Sequence, residues 1–318
     1  MENNSKKLII IDANSIIHRA YHALPPLTTK KGDLVNAVYG FLLVFFKAIK
    51  DFQPDFIVAA FDFPAPTLRH KKYKEYKAKR KPAPEELYQQ IPKVKEFLKA
   101  FGVPIFEKEG FEADDIIGTI SRLAPKKQVI PKLETIILSG DLDTLQLVGP
   151  ETKVYSLKKG VKDVVLYDKE LVKEKFGGLT PEQLLDYKAL RGDPSDNIPG
   201  VTGIGEKTAQ ELLLKFGTLE NLYQEIETNS TKAKALKPKL KETLLKYKDQ
   251  AFLSKDLARI EKSVPIDFNL VKCGFQGINK EKVRELLREF NFQSLLERLA
   301  KLRERKEKKN LGENLKLW

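Results

Sequence analysis

Three apolar runs, each closed by an aspartate, dominate the first half of the chain: Leu8–Asp12, Phe56–Asp62 and Thr135–Asp141. Continuous apolar runs of this length predict buried strands of a parallel sheet. Between them, apolar residues recur at helical spacing over Val38–Ile49 and in the segment that ends at Leu123. Strands that alternate with helices predict an α/β fold, with helices on both faces of a mostly parallel sheet.

The aspartates that close these strands are predicted to share one edge of the sheet. Asp12, Asp62 and Asp141 occupy the strand ends, and Asp143 follows two residues after the third. Ligands of open α/β sheets bind at the carboxyl ends of the strands. A single strand-terminal aspartate is ordinary loop chemistry, whereas three of them favour a shared site.

A further acidic cluster, Glu112, Asp114 and Asp115, begins a predicted amphipathic helix that runs to Leu123. The helix dipole alone accounts for acidic residues in a first turn, so the cluster by itself leaves helix stabilisation and function equally open. Together with the strand-end aspartates it predicts a site that needs counter-charge. Divalent metal ions are the usual source of that charge.

Residues 69–81 form a basic segment in which eight of thirteen residues are Lys or Arg, with Tyr73 and Tyr76 between them. One interpretation is a solvated basic helix face, the commonest fate of such a run. The other is a phosphate-binding segment whose tyrosines stack on bases. A second helix is predicted over residues 85–101. A basic helical pair beside an acidic site favours a lid or arch over that site.

The second half of the chain is predicted to be mainly helical, after a short hairpin formed by residues 154–157 and 164–167. Gly200, Gly203 and Gly205 separate a helix that starts at Thr180 from one over residues 206–216. Such glycines permit close approach of a ligand, and the N–H groups of the next helix would face an anion. A tight helix–helix turn is the alternative. Further helices are predicted over residues 219–226, 236–247, 251–259 and 280–290.

The amino-acid composition narrows the classes of molecule that this protein is expected to bind. The 318 residues carry a net charge of +13, from 57 Lys and Arg against 44 Asp and Glu. This balance favours nucleic acid over a membrane, although charge alone also fits a merely basic soluble protein. Cys273 is the only cysteine, which excludes a disulfide framework and fits a reducing, cytoplasmic setting. No apolar run approaches the roughly 20 residues of a membrane span, and no signal peptide is recognisable.

Six segments, in this order, resemble the 5′ nuclease domain of bacterial DNA polymerase I, in the flap endonuclease superfamily. The resemblance extends over about residues 6–300, and the last segment is the most specific. The segments are Ile11–Asp12, Ala60–Asp62, Arg69–Arg80, Phe111–Asp115, Ser139–Asp143 and Gly192–Ala209.

The resemblance implies a PIN-like nuclease core in residues 1–178 with a helical arch at about 69–101. It also implies a helix-three-turn-helix DNA-binding region in residues 179–300, followed by a charged tail in 301–318. The tighter metal site would comprise Asp12, Asp62, Glu112, Asp114 and Asp115. The second would comprise Asp141, Asp143, Asp193 and Asp196.

The resemblance further implies which residues meet DNA. Lys77 and Arg80 would be catalytic and contact the scissile phosphate, and Tyr76 would stack. The turn at residues 200–205 would hold duplex backbone, with a bound K⁺ ion. The full set of expected DNA contacts is Arg69, Tyr76, Lys77, Arg80, Gly200, Gly203, Gly205 and Lys207.

These features predict a structure-specific 5′ nuclease that uses two Mg²⁺ ions, with Mn²⁺ as a substitute, because oxygen ligands alone are offered. Its substrates would be DNA with 5′ flaps, nicks or free 5′ ends, and RNA primers. We expect a cytoplasmic, nucleoid-associated monomer that works with a DNA polymerase in the same or a separate chain. The alternative is a catalytically silent module that binds DNA junctions, which should have lost carboxylates or the basic arch.

Overall fold

The computed structural model describes residues 5–125, 132–275 and 280–300. Its centre is a six-stranded sheet of order β3-β2-β1-β4-β5-β6, in which every neighbouring pair is parallel except β5 and β6. The predicted α/β class and the hairpin are therefore confirmed. The strands are β1 (Lys6–Asp12), β2 (Phe56–Ala60), β3 (Ile105–Phe106), β4 (Leu133–Ser139), β5 (Thr152–Leu157) and β6 (Val164–Tyr167).

The helices occupy both faces of this sheet and the second half of the chain. They are α1 (Ala13–Ala23), α2 (Asn36–Phe52), α3 (Leu68–Lys72), α4 (Glu85–Tyr88), α5 (Ile91–Ala100), α6 (Ala113–Leu123), α7 (Lys169–Lys175), α8 (Leu184–Arg191), α9 (Glu206–Phe216), α10 (Leu219–Glu227), α11 (Thr231–Lys234), α12 (Pro238–Lys246), α13 (Lys248–Ala258) and α14 (Lys280–Glu289). Short 3₁₀ helices cover Leu142–Leu147, Pro181–Gln183 and Leu270–Cys273. No helix within the described ranges combines the length and apolar character of a membrane span.

The central strand β1 explains why the sheet is covered on both sides. Leu8 and Ile10 belong to the apolar core on the α6 face, whereas Ile9 and Ile11 belong to the core on the α1 and α2 face. Side chains of a strand alternate between faces, so an uninterrupted apolar run needs a core on each side. The register pairs Asp12 with Ala60 of β2, which brings the ends of these strands to one edge.

The basic segment is less helical than the sequence predicts. α3 ends at Lys72, and the chain continues in turns to residue 79. Lys77 has a φ of 55°, in the left-handed region that interrupts a helix. The predicted helix over 85–101 is two helices, because Pro92 near the start of α5 cannot donate the backbone hydrogen bond that a continuous helix needs.

Helices α8, α9, α10 and α13 surround an apolar cluster of their own. Beyond α13 the chain returns to the sheet, where Ile260, Val264 and Phe268 join the core beneath α6. Val283 and Leu287 of α14 join the core on the opposite face. The last described part of the predicted 179–300 region therefore packs on the sheet, not on the helical unit. The predicted tail, 301–318, lies outside the described residues.

Candidate functional site

The ends of the parallel strands bring three aspartates to one edge of the sheet. Asp12 Oδ2 accepts a hydrogen bond of 2.6 Å from Ser139 Oγ, and its Oδ1 accepts 3.2 Å from the Ser15 amide. Asp62 Oδ1 accepts 2.8 Å from the Ala113 amide, which ties the end of β2 to the start of α6. Asp141 follows β4 and caps the next 3₁₀ helix. The predicted placement of these strand-end aspartates is confirmed.

Several of these carboxylates have too little positive charge around them. Burial raises the pKa of Asp12 to about 6, against the opposing effect of its two serine donors. Burial also raises the pKa of Asp62 above its usual range, and repulsion from Glu112 adds to it. For Asp114, burial and then repulsion from Asp12 and Asp141 raise the pKa well above its usual range. A cation placed among these groups would favour their charged form.

The basic segment supplies positive charge to other carboxylates of the site. Lys77 Nζ lies 2.8 Å from Glu112 Oε1, and Arg80 forms an ion pair with Asp196. The Tyr76 hydroxyl lies 3.1 Å from one oxygen of Glu112 and from one oxygen of Asp196, and its single proton is shared between the two carboxylates. Tyr76 is only 2% exposed, so its ring is not available to stack on a base in this conformation. The burial of Tyr76 and its two carboxylate partners explain why residues 73–79 turn inward.

Asp115 differs from its neighbours, because four donors already occupy its two oxygens. Arg69 binds it through both terminal nitrogens, at 2.7 and 2.6 Å. The backbone amides of Glu112 and Glu261 donate at 3.1 and 2.8 Å. A carboxylate offers about four lone-pair directions, so little remains for a metal ion. In this conformation Asp115 and Arg69 bind each other, and their expected roles as metal ligand and DNA contact remain predictions.

Lys188 is a residue of the site that the sequence pattern did not indicate. Its ammonium group lies 2.7 Å from Asp193 Oδ2 and also pairs with Asp143. Burial and repulsion from Asp141 raise the pKa of Asp143 to about 7 in spite of this lysine. Asp193 is also partly buried, yet Lys188 and two hydrogen bonds from Ser195 lower its pKa to about 2. The sequence did contain one signal for it: Lys188 lies in α8 among sequence neighbours that are nearly all apolar.

The glycine turn divides into two parts with different roles. Gly200 is buried at a φ of 62°, and a Cβ there would lie 2.2 Å from the Gly192 nitrogen. The absence of a side chain at Gly200 permits this close packing of the chain, and its expected role as a DNA contact remains a prediction. Gly203 and Gly205 have open space around them, and Lys207 is exposed at the start of α9. This second part has the accessible backbone that a ligand requires.

The donor set fits a hard divalent cation, since it consists of carboxylate oxygens. In the described part of the chain, no three Asp, Glu, His or Cys side chains converge closely enough to hold an ion as they stand. Lys77, Arg80 and Lys188 already take oxygens of four candidate ligands. The fit to a divalent cation therefore rests on the raised pKa values of Asp12, Asp62 and Asp114. The remaining candidate ligands would have to change their side-chain conformation.

Family models match almost the whole of this architecture. Residues 7–177 match the N-terminal resolvase-like domain of the 5′–3′ exonucleases, and residues 179–281 match their C-terminal SAM fold. The chain belongs to the 5′–3′ exonuclease family. It is 44% identical to DNA polymerase I of Bacillus caldotenax and 45% identical to that of Bacillus subtilis, over 92% and 93% of its length. It spans about a third, 32%, of the length of each of these relatives.

Solved structures share the fold of this chain. The bacteriophage T5 D15 flap endonuclease, in a pseudo-enzyme–product complex with DNA and metal ions, matches with a TM-score of 0.66. That match covers 90% of this chain and all of the other at 18% identity. The catalytic core of Rad2 in complex with DNA substrate matches with a TM-score of 0.58 at 18% identity, over 90% and 88% of the two chains.

Proposed function

We propose that this chain is a metal-dependent 5′ nuclease that hydrolyses phosphodiester bonds at 5′ ends and 5′ flaps of duplex DNA. Its role would be the removal of primers and flaps during DNA replication and repair. The observation that carries the proposal is the edge where three strand-end aspartates meet the acidic start of α6 and the loop of Asp193 and Asp196, with Lys77 and Arg80 above them. A silent binding module would have no need to keep so many buried carboxylates together.

Mg²⁺, with Mn²⁺ as a substitute, would supply an activated water and neutralise charge at the scissile phosphate. The residues that would hold the first ion are Asp12, Asp62, Glu112 and Asp114. The residues that would hold the second ion are Asp141, Asp143, Asp193 and Asp196.

Lys77 and Arg80 would have a second role once substrate is bound. Lys77 and Arg80 are held at the site by Glu112 and Asp196, next to the place where the phosphate would lie. Negative charge increases on phosphate oxygens in the transition state, and fixed cations stabilise that charge. We infer that both side chains exchange their carboxylate partners for the scissile phosphate. The scissile nucleotide would unpair to reach the site, which suits an end or junction better than intact duplex.

The turn at Gly203 and Gly205, with Lys207 and the start of α9, would hold the duplex backbone, and a K⁺ ion held at this turn would supply further positive charge for the phosphates. The protein would act as a monomer in the cytoplasm, on the nucleoid. Its partner would be a DNA polymerase in the same or a separate chain, and RNA primers would be further substrates.

The test is cleavage of a flapped duplex labelled at its 5′ end, in Mg²⁺ and in EDTA, read on a denaturing gel. We expect release of the flap at or near the junction in Mg²⁺ alone. Asp114→Asn should abolish release while DNA binding persists, because it removes a candidate ligand without touching the turn. Binding of the flap by the unaltered protein without cleavage in Mg²⁺ or Mn²⁺ would favour the silent module instead.

A further inference from the structure

Asp115 connects three parts of the molecule that are distant in sequence. Through Arg69 it holds the base of the arch at α3, and through the Glu112 amide it holds the start of α6. Through the Glu261 amide it holds the segment that follows α13. Asp115 is 1% exposed, so these contacts are shielded from water and stronger than surface equivalents.

Arg69 extends this connection to α13. Its Nε donates at 3.0 Å to the Leu257 carbonyl, and one terminal nitrogen donates at 2.6 Å to the Arg259 carbonyl. The planar guanidinium group therefore serves a carboxylate on one side and the end of a helix on the other. A lysine at this position keeps the charge but cannot reproduce the fork.

The other end of the connection is the glycine turn. Within α13, Ser254 Oγ accepts 3.0 Å from the Gly200 amide, and Gln250 Nε2 donates 2.6 Å to the Gly200 carbonyl. Helix α13 thus contacts the turn that is proposed to hold duplex. Three residues beyond Ser254, the same helix contacts Arg69, which is bound to the acidic helix α6. The contacts form a continuous path from Gly200 through α13 and Arg69 to Asp115.

The segment after α13 also lies directly against α6. A Cβ at Gly118, one turn beyond Asp115, would be 2.7 Å from Ile260 Cγ2 and 3.2 Å from the Glu261 carbonyl oxygen. The Val264 amide donates at 3.0 Å to Thr119 Oγ1 of the same helix. Close packing and hydrogen bonds together fix this segment, so α13 and α6 keep one relative position.

We propose that Asp115 and Arg69 are positioning residues that fix the distance between the duplex-binding turn and the acidic site, and so determine which phosphodiester bond is cut. This inference rests on the proposed nuclease function. Asp115 would hold α6, and with it Glu112 and Asp114, at a set distance from the bound duplex. Loosening the pair would leave the metal-binding carboxylates present but misplaced relative to the substrate.

The test uses two variants that change no net charge. Arg69→Lys loses the fork, and Gly118→Ala forces the segment at Ile260 away from α6. Gly149→Ala is the matched control, because a Cβ there meets nothing within 4 Å. On a labelled 5′ flap, both variants should spread the cut over neighbouring positions, whereas the control cuts as the unaltered protein does. The single-turnover rate at the main position should fall by up to about 100-fold, as for a displacement near 1 Å.

A second measurement separates positioning from metal ligation. Mn²⁺ binding, counted by electron paramagnetic resonance without DNA, should show the same number of ions in Asp115→Asn as in the unaltered protein. Asp114→Asn should lose one ion. Loss of an ion in Asp115→Asn would overturn the inference, and so would cleavage by folded Arg69→Lys and Gly118→Ala at the unaltered position and rate. Absence of cleavage by the unaltered protein would overturn the proposed function and this inference together.

Discussion

Replacement of Lys188 by methionine should destabilise the protein and make its stability depend on divalent cations. The Lys188 side chain is 15% exposed, and its ammonium group is shared by Asp143 and Asp193. Methionine keeps most of the length and none of the charge. It would leave two carboxylates without their common partner, beside Asp141, which already repels Asp143.

The expected loss can be sized from the burial of the pair. Removing one partner of a buried ion pair typically lowers the free energy of unfolding by 3–5 kcal/mol. Because the site opens to solvent at the sheet edge, we expect the lower end, about 3 kcal/mol in EDTA. Lys173 pairs with Glu170 at the surface, so Lys173→Met is the matched control and should change stability by less than about 1 kcal/mol.

Mg²⁺ should restore much of what Lys188→Met loses. A ligand that binds only the folded state stabilises it by RT ln(1 + [L]/Kd), so tighter binding gives a larger stabilisation. In the unaltered protein an ion at Asp143 and Asp193 must displace an ammonium group, whereas in the variant it meets free carboxylates. Urea unfolding followed by circular dichroism, in EDTA and in Mg²⁺, measures both effects. Equal stability of variant and unaltered protein in EDTA, or equal stabilisation of both by Mg²⁺, would refute the reasoning.

Two further predictions concern the arch and the turn. Lys77→Ala should lower the single-turnover rate of flap cleavage much more than DNA affinity, while exposed Lys79→Ala should change neither strongly; weaker binding at an unchanged rate would contradict this. Gly200→Ala should prevent stable folding because its Cβ would overlap Gly192, whereas Gly203→Ala should lower the free energy of unfolding by about 1–2 kcal/mol, the ordinary penalty for a left-handed residue. Thermal unfolding compares the two, and similar melting temperatures would contradict the packing argument.

The elements with strong local patterns were predictable from the sequence. The helix over residues 206–216 has the same limits in the structure, since its apolar spacing and the stop at Gly217 are both local. The strand-end aspartates were also placed correctly, because parallel strands bring their carboxyl ends to one edge. In both cases the decisive information lies within a few residues of the feature.

The features that the sequence did not indicate depend on distant partners. Three of the four donors to Asp115 come from residues 46 and 146 positions away, so no local pattern distinguishes it from Asp114. Tyr76 likewise turns inward because its hydroxyl bonds Glu112 and Asp196, which lie far along the chain. Identical residue types in one motif therefore acquire different roles only when the fold supplies their neighbours.

The charges of the site also indicate an order of metal binding. Asp12, Asp62 and Asp114 form no ion pair with Lys or Arg in the described residues, and burial raises the pKa of each. Asp143 and Asp193 share Lys188. A first cation among these three carboxylates relieves repulsion without breaking an ion pair of theirs, whereas a second must compete with an ammonium group. The distribution of Lys and Arg side chains thus predicts one tighter and one weaker metal site. Lys188→Met should bring the metal affinities of the two sites closer together.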